Sequence, residues 1–424
     1  IPDPESQDPR IYRIDGAKRF ITSGEQDLTE NIIHLLLARI EGAPSGTKGV
    51  SLFIVPKIWV NPDGSLGKSN DVYCTGVEHK MGIRGSATCS LSFGENGQCR
   101  GILLGEPHSG MTKMFQMMNE SRLHTGLMGT ALAASAYDAA RQYARERVQG
   151  PPFTHPKGDR VPIIQHEDVR RMLMNLKAGT EAMRAMVLKV ALLLDISERD
   201  PNESARKTAH QQVEMLTPVV KAYCSDFGFN LIRDAIQVLG GVGFCSEFPV
   251  EQYLRDSKIN SIWEGTSYIQ ALDLVGRKLS MDSGRVFRNW LQGVMDFAST
   301  YKTDNEFGAD ANLLCQAASM LQEFALAYPQ YLKEGKARLV PLTATRFLEC
   351  FAEVGLGHLM LEQGLIARNN IQGITPESPD GIFYHGKVAS SHYFIRNILV
   401  NLFSRHVTFK HEDTSALDIP DEAL

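Results

Sequence analysis

No apolar run in this sequence approaches membrane-spanning length. Its densest patch, residues 187–194, is bounded and interrupted by charge, whereas a bilayer helix needs roughly 20 apolar residues. Paired-cysteine spacing is missing too. The seven cysteines (Cys74, Cys89, Cys99, Cys224, Cys245, Cys315 and Cys350) are scattered, odd in number and never form CxxC. Neither a disulfide framework nor a zinc site is indicated, and a reducing, cytoplasmic setting is expected. HExxH, GxSxG and the P-loop are absent, which leaves metal and serine-hydrolase chemistry without sequence support. Positive charge is not in excess: the formal net charge of −5 argues against a nucleic-acid scaffold. No internal repeat has a solenoid period. The chain also lacks an initiator methionine and opens on IPDPESQDPR, which is too polar and proline-rich for a signal peptide. A fragment or a processed product is expected.

What is present suits an ordinary globular chain. With 424 residues, 43% of them hydrophobic and 22% charged, an ample core and two or three domains are expected. Residues 1–109 read as a small, mostly antiparallel β-domain. Residues 11–22 alternate in part, 32–40 read IIHLLLARI, 49–56 read GVSLFIVP, and 90–93 form another short strand. Gly and Pro clusters at 42–44 and 62–64 separate them. No βαβ spacing occurs, so a parallel dinucleotide-binding sheet is not expected.

Residues 110–282 read as a helical bundle. Residues 131–144 are rich in alanine, the best helix former. Val169, Met172, Leu173 and Leu176 repeat at i, i+3, i+4, i+7, as do Met183, Met186, Val187 and Val190. The methionines read as core filler. Loops are predicted at 150–158 and 195–204, and a third helical stretch, 203–239, is predicted to be interrupted or kinked near Pro218. Residues 283–424 form an extra C-terminal helical domain in this reading. Its candidate helices are 286–300, 313–327, 342–366 and 388–409, with a polar loop at 369–381 and a frayed acidic tail from His411. The expected class is α+β.

The chain is organised around residues 253–279, YLRDSKINSIWEGTSYIQALDLVGRKL. A charged segment turns apolar at Ile262 and Trp263. Glu264, Gly265 and two hydroxyl residues follow, and then a helix. Ser267 and Gln270 have capping-box spacing, which predicts that Ser267 caps the amide of Gln270 while Gln270 reaches back. Ile269, Leu272 and Val275 continue at near-helical spacing. The helix dipole favours the charged form of Glu264. Burial against Trp263 favours the neutral form. That balance suits a general base near working pH. The ordinary reading is a surface acid favoured by a helix start.

Ile262-Trp263-Glu264-Gly265-Thr266-Ser267 resembles the catalytic segment of the acyl-CoA dehydrogenases, with its aromatic-Glu-Gly-Thr core. The ALDLVGRKL continuation resembles the branch with an extra C-terminal helical domain, which includes the 3-methylthiopropanoyl-CoA dehydrogenase type. The likeness covers most of residues 1–279 and, more loosely, the rest. It implies an FAD-dependent oxidoreductase of fatty acid β-oxidation that converts an acyl-CoA thioester to a 2-enoyl-CoA. In the family the glutamate matching Glu264 removes the α-proton, and hydride leaves the β-carbon for flavin N5. Trp263 and Gly265 would border the substrate, and Thr266 the cofactor. The backbone N–H of Glu264 and a flavin ribityl hydroxyl would stabilise the charge that develops on the thioester oxygen. Substrate binding is expected to expel water and raise the pKa of the base.

Other segments carry the same resemblance. Lys18-Arg19-Phe20-Ile21-Thr22-Ser23-Gly24 reads by itself as a strand ending in a turn. It is similar to the family segment against the flavin ring, so Phe20 would flank the ring and Thr22 would bond near N5. Phe20 stands where the family often has Trp, keeping a flat wall but no N–H donor. Gln237-Val238-Leu239-Gly240-Gly241-Val242-Gly243-Phe244 reads as a helix C-cap. It resembles the family segment that reaches the FAD of a neighbouring subunit, through Gln237, Gly240 and Gly241. Arg147, in a cationic helix end, matches the family arginine on the FAD pyrophosphate. Arg122, in Asn119-Glu120-Ser121-Arg122, resembles an arginine at a helix start that meets CoA.

The resemblance implies electron-transfer flavoprotein as acceptor and a homodimer. Rival readings are an acyl-CoA oxidase, a flavin-binding DNA-associated homologue and a degenerate assembly subunit. Members of the family usually open with an all-helical domain and a strand carrying Thr-Glu-Pro...Gly-Ser/Thr-Asp. Neither occurs here, so these residues alone are expected not to complete the flavin pocket.

Overall fold

The computed structural model describes residues 1–424, with the side chain of Gln116 outside the described set. Two compact units result, Ile1–Glu120 and Ser121–Leu424.

The first unit carries β1 (Ile11–Arg13), β2 (Gly16–Thr22), β3 (Ile33–Arg39), β4 (Val50–Pro56), β5 (Ile58–Val60), β6 (Leu66–Ser69), β7 (Val72–Val77), β8 (Thr88–Phe93) and β9 (Arg100–Leu103). They form an antiparallel sheet in the order β1-β9-β4-β3, a second in the order β2-β8-β7, and the pair β5-β6. The continuously apolar β4 lies inside its sheet, pairing Phe53 with Leu36 on one side and Leu103 on the other. Phe53, Val55, Leu91 and Phe93 belong to one core. Short β5 and β6 are without a legible apolar period, and β6 is exposed throughout. The β2–β8 register shifts between Lys18 and Ile21. Such a bulge leaves a residue unpaired, and Phe20 there takes a left-handed φ of 60° with its ring 65% exposed.

The helices are α1 (Gly110–Glu146), α2 (Glu167–Arg199), α3 (Glu203–Leu239), α4 (Val250–Ser257), α5 (Ser267–Asp273), α6 (Arg285–Thr300), α7 (Gly308–Lys333), α8 (Leu339–Ile371), α9 (Pro379–Tyr393), α10 (Asn401–Lys410) and the short α11 (Ser415–Asp418). One apolar cluster runs from Ala133 on α1 to Phe409 on α10, so the expected bundle and C-terminal helices share a core. Ala133, Ala136, Ala140 and Ala144 present a buried stripe. Close approach of α1 to α3 requires glycine: a Cβ on Gly126 would lie 2.6 Å from Val220, and one on Gly129 2.5 Å from the Cys224 carbonyl.

Some boundaries differ from expectation. α3 runs through Pro218 without interruption. Between α2 and α3 the loop is only residues 200–202, because Asn202 caps α3 from Ser204 and Ala205. α9 begins inside the expected loop, with Ser378 accepting from Gly381 N–H (3.0 Å) and Pro379 in the first turn, where its missing N–H costs nothing. The tail from His411 includes the helical turn α11. Among the described residues, no helix is long and apolar enough to cross a membrane.

Candidate active site

Glu264 lies in an irregular turn between a 3-10 segment, Lys258–Ser261, and α5. The amides of Ile262 and Trp263 both fold back onto the Ile259 carbonyl (2.9 and 3.0 Å). The chain then reverses through two positive-φ residues, Glu264 (55°) and Gly265 (85°). The left-handed conformation costs a non-glycine residue roughly 1–2 kcal/mol. At the next position a side chain is blocked as well, since a Cβ on Gly265 would meet Gln270 Nε2 at 2.6 Å.

The strained backbone is pinned from below. Arg122 Nε donates to the Glu264 carbonyl (3.3 Å). Gln270 Nε2 donates to the carbonyls of Glu264 (3.3 Å) and Gly265 (3.2 Å). Gln270 is completely buried and Arg122 is 7% exposed. Burial holds the Arg122 pKa below its usual value, while the carboxylates of Asp273 and Glu264 oppose that shift. The Glu264 carboxylate is half-buried and makes no hydrogen bond or ion pair among the described residues, and neither does its amide N–H. Its main chain is fixed while its carboxylate and amide stay free.

Two expectations change here. Thr266, not Ser267, caps α5, its Oγ1 accepting from Ile269 N–H (3.3 Å). Gln270 does reach back, but to carbonyls that the left-handed turn exposes. Arg122 is not at a helix start. It lies within α1, which begins at Gly110, and its guanidinium faces the Glu264 turn.

The remaining expected residues fall in separate places. Phe20 and Thr22 belong to the β unit, where Thr22 lines a cavity of about 260 Å³ with Lys18, Ile21 and His34. The Arg19 guanidinium sits 4.8 Å from the Phe20 ring centre. In the helical unit Arg147 is exposed just past α1, and Gln237 is exposed in the last turn of α3. Gly240 ends α3 with φ 62°, and the space around Gly240 and Gly241 is open. Tyr143 meets Phe248 edge to face (6.3 Å), which brings the end of α1 to the loop after these glycines.

Sequence reading missed Lys221. Its side chain on α3 is fully buried with Nζ unpaired, and burial pushes its pKa down to about 8, against the Asp226 and Glu264 carboxylates. The available signal was a single lysine inside the apolar run Val219–Cys224. Nearby polar groups of the turn are also buried without partners: the Asn260 carboxamide, Ser261 Oγ, Trp263 Nε1 and Gln270 Oε1.

Residues 108–279 match the acyl-CoA dehydrogenase C-terminal domain, and residues 290–420 match the acetyl-CoA dehydrogenase C-terminal-like domain. A butyryl-CoA dehydrogenase from Syntrophomonas wolfei is 42% identical over 98% of this chain and 69% of its own length. The 3-methylmercaptopropionyl-CoA dehydrogenase of Ruegeria pomeroyi is 37% identical over 94% of this chain and 67% of its own length. An acyl-CoA dehydrogenase from Bacillus anthracis, solved in complex with FAD, shares the fold at a TM-score of 0.70 and 22% identity, over 98% of this chain and 66% of that one. The chain therefore belongs to the acyl-CoA dehydrogenase family, a family of FAD-dependent oxidoreductases. It spans about two thirds of the length of these proteins.

Proposed function

We propose that the protein is an acyl-CoA dehydrogenase in which Glu264 is the base. The carrying observation is the pinned turn with a free carboxylate and a free amide. The carboxylate takes the proton from the α-carbon of the thioester. The C–H electron pair becomes the new α,β double bond as hydride leaves the β-carbon. An unaided carboxylate is too weak for this, so charge on the thioester oxygen must be met by preorganised donors; the Glu264 N–H is one. Arg122 and Gln270 act through the backbone, holding that amide and carboxylate in one orientation.

FAD, when bound, supplies the two-electron acceptor for the hydride. The residues present fit part of such a group's surroundings. Thr22, Arg147 and Gln237 are exposed with side chains unpaired among the described residues, and the Gly240–Gly241 backbone is open to close approach. Phe20 and Thr22 would hold the ring, and Arg147, Gln237, Gly240 and Gly241 the polar portion on a second copy, which makes a homodimer the working unit. Thr266 spends its oxygen on the α5 cap and can still donate its hydroxyl proton. Electron-transfer flavoprotein is the acceptor in this reading; peroxide release in air would favour an oxidase.

The test is an anaerobic titration of the flavin-loaded protein with saturated acyl-CoAs, beginning with short chains as the relatives' names suggest. Bleaching of the flavin band that vanishes in Glu264→Gln is expected. Turnover in Glu264→Gln would refute the base, and a flavin that never bleaches would refute the dehydrogenase.

A further inference from the structure

A second cavity, of about 320 Å³, opens in the helical unit among residues that have no part in the reaction. Its walls come from two regions of the chain. Asn175 of α2, Asp226 and Phe227 of α3 and Ser267 of α5 belong to the region matching the acyl-CoA dehydrogenase C-terminal domain, residues 108–279. Glu353 of α8 and Asn397, Asn401 and Arg405 belong to the second matched region, residues 290–420. The cavity therefore closes only when both regions are folded against each other. Asn397 lies in a π-helical turn, Phe394–Leu399, an irregularity often found at functional positions.

Part of the lining is already satisfied. Glu353, 2% exposed, accepts from Arg405 Nη1 (2.6 Å), and Arg405 Nε pairs with Glu349 (2.9 Å). The bonding capacity left over around that pair is mostly of one kind. Asn175 Nδ2 donates to the Asp234 carboxylate (3.0 Å), Asn397 Nδ2 to the Tyr393 carbonyl (3.1 Å) and Asn401 Nδ2 to the Asn397 carbonyl (3.4 Å). A carboxylate or carbonyl can be met only by the NH₂ end of a carboxamide, so each of these side chains keeps its oxygen as an unused acceptor. Asp226 adds a half-buried carboxylate with no hydrogen bond or ion pair among the described residues. Carbonyl oxygens and an unpaired carboxylate call for a ligand rich in donors and positively charged; an anion would face lone pairs. The Phe227 ring, tilted against Tyr223 at 5.1 Å, offers an aromatic face of the kind that attracts cations. The volume lies at the small end of the range for ligand sites, roughly 300–1,000 Å³.

We propose that this cavity binds a small organic cation, its ammonium or guanidinium head held by Asp226 and the asparagine carbonyls and its alkyl part lying against Phe227 and Leu348. The site is separate from Glu264 and does not depend on the reading of that residue as base.

Calorimetric titration of the full chain with agmatine and with putrescine tests the site, with glutamate and inorganic phosphate as anionic controls. One saturable site per chain is expected for the amines and none for the anions. Asp226→Asn, which keeps the shape and removes the charge, should weaken amine binding by about 10–100-fold, the range for a hydrogen bond to a charged group. Asn397→Leu, from the second region, should weaken it by about 3–10-fold. The thermal midpoint of the unaltered chain should rise with agmatine concentration, and that of Asp226→Asn should stay put over the same range. Absence of saturable amine binding overturns the proposal. So does amine binding that both variants leave unchanged, which would be diffuse attraction to a chain of net charge −5, and so does tighter binding of glutamate or phosphate than of either amine. Loss of amine binding in Glu264→Gln would move the cation to the other site and overturn the assignment as well. If Asp226→Asn fails to fold, Asn397→Leu, at an exposed position, decides the question by the same titration.

Discussion

Two buried charge clusters in the helical unit are built on opposite terms. Around Glu264, Lys221 Nζ, the Asn260 carboxamide and Gln270 Oε1 lack partners, and the backbone takes a left-handed conformation. In the C-terminal helices, pairing is close to complete. Asp310, fully buried near the start of α7, receives Arg396 Nε on one oxygen (2.6 Å) and Arg396 Nη2 on the other (3.0 Å), with His392 Nδ1 beside it. His392 stacks on Phe307 (4.5 Å). Glu353, 2% exposed, bonds Arg405 (2.6 Å) and Tyr223 (3.5 Å). Satisfied networks fix a structure, whereas buried groups left unsatisfied mark places where a ligand or a reaction is to be met. One cluster joins helices together; the other keeps its bonding capacity in reserve.

The comparison breaks if function and stability do not separate. The largest effect expected is Glu264→Gln, which should cut substrate-dependent flavin reduction by about 10²–10⁴-fold while leaving the melting temperature nearly unchanged, measured by stopped flow and calorimetry on one preparation. Asp310→Ala should do the reverse. It leaves Arg396, whose side chain is half exposed, without its carboxylate and should cost about 1–3 kcal/mol in denaturant unfolding, with bleaching per folded molecule retained.

A smaller effect separates the two clusters by pH. Burial pushes the Glu353 carboxyl up to about 7, Arg405 opposing. Between the ordinary carboxylate range and about 7, the folded chain therefore holds a proton that the unfolded chain has released. The resulting stability is full below that range and is lost as pH rises through about 7. Unfolding free energy measured between pH 5 and 8 should fall with pH, and Glu353→Gln should flatten the slope. The smallest expected effect concerns the α5 cap: Thr266→Ala should cost about 1 kcal/mol, and Ser267→Ala clearly less. Equal costs would return the cap to Ser267.

Much of this was legible in the sequence. The apolar run of β4, the alanine stripe of α1 and the 3.6-residue period of α2 declared themselves because each is a local pattern read against one buried face. Boundaries were less legible. Asn202 and Ser378 cap helices inside segments whose polar composition reads as loop, since capping residues and loop residues are the same types. The site was half legible. Its Glu-Gly-Thr segment resembles a known one, yet the role of Gln270 was misjudged, because the spacing of a capping box does not tell which backbone groups a left-handed turn will expose.

By itself the sequence determined the α+β class, the order of sheet and helices and the family, all of which rest on periodicity and on short contiguous segments. Only tertiary structure decided that the bundle and the C-terminal helices share one core, that Arg122 braces a carbonyl 142 positions away, and that Lys221 is buried beside the Glu264 turn. Burial and unpaired charge are properties of what packs around a side chain. A chain of residues carries no record of them until distant helices close over it.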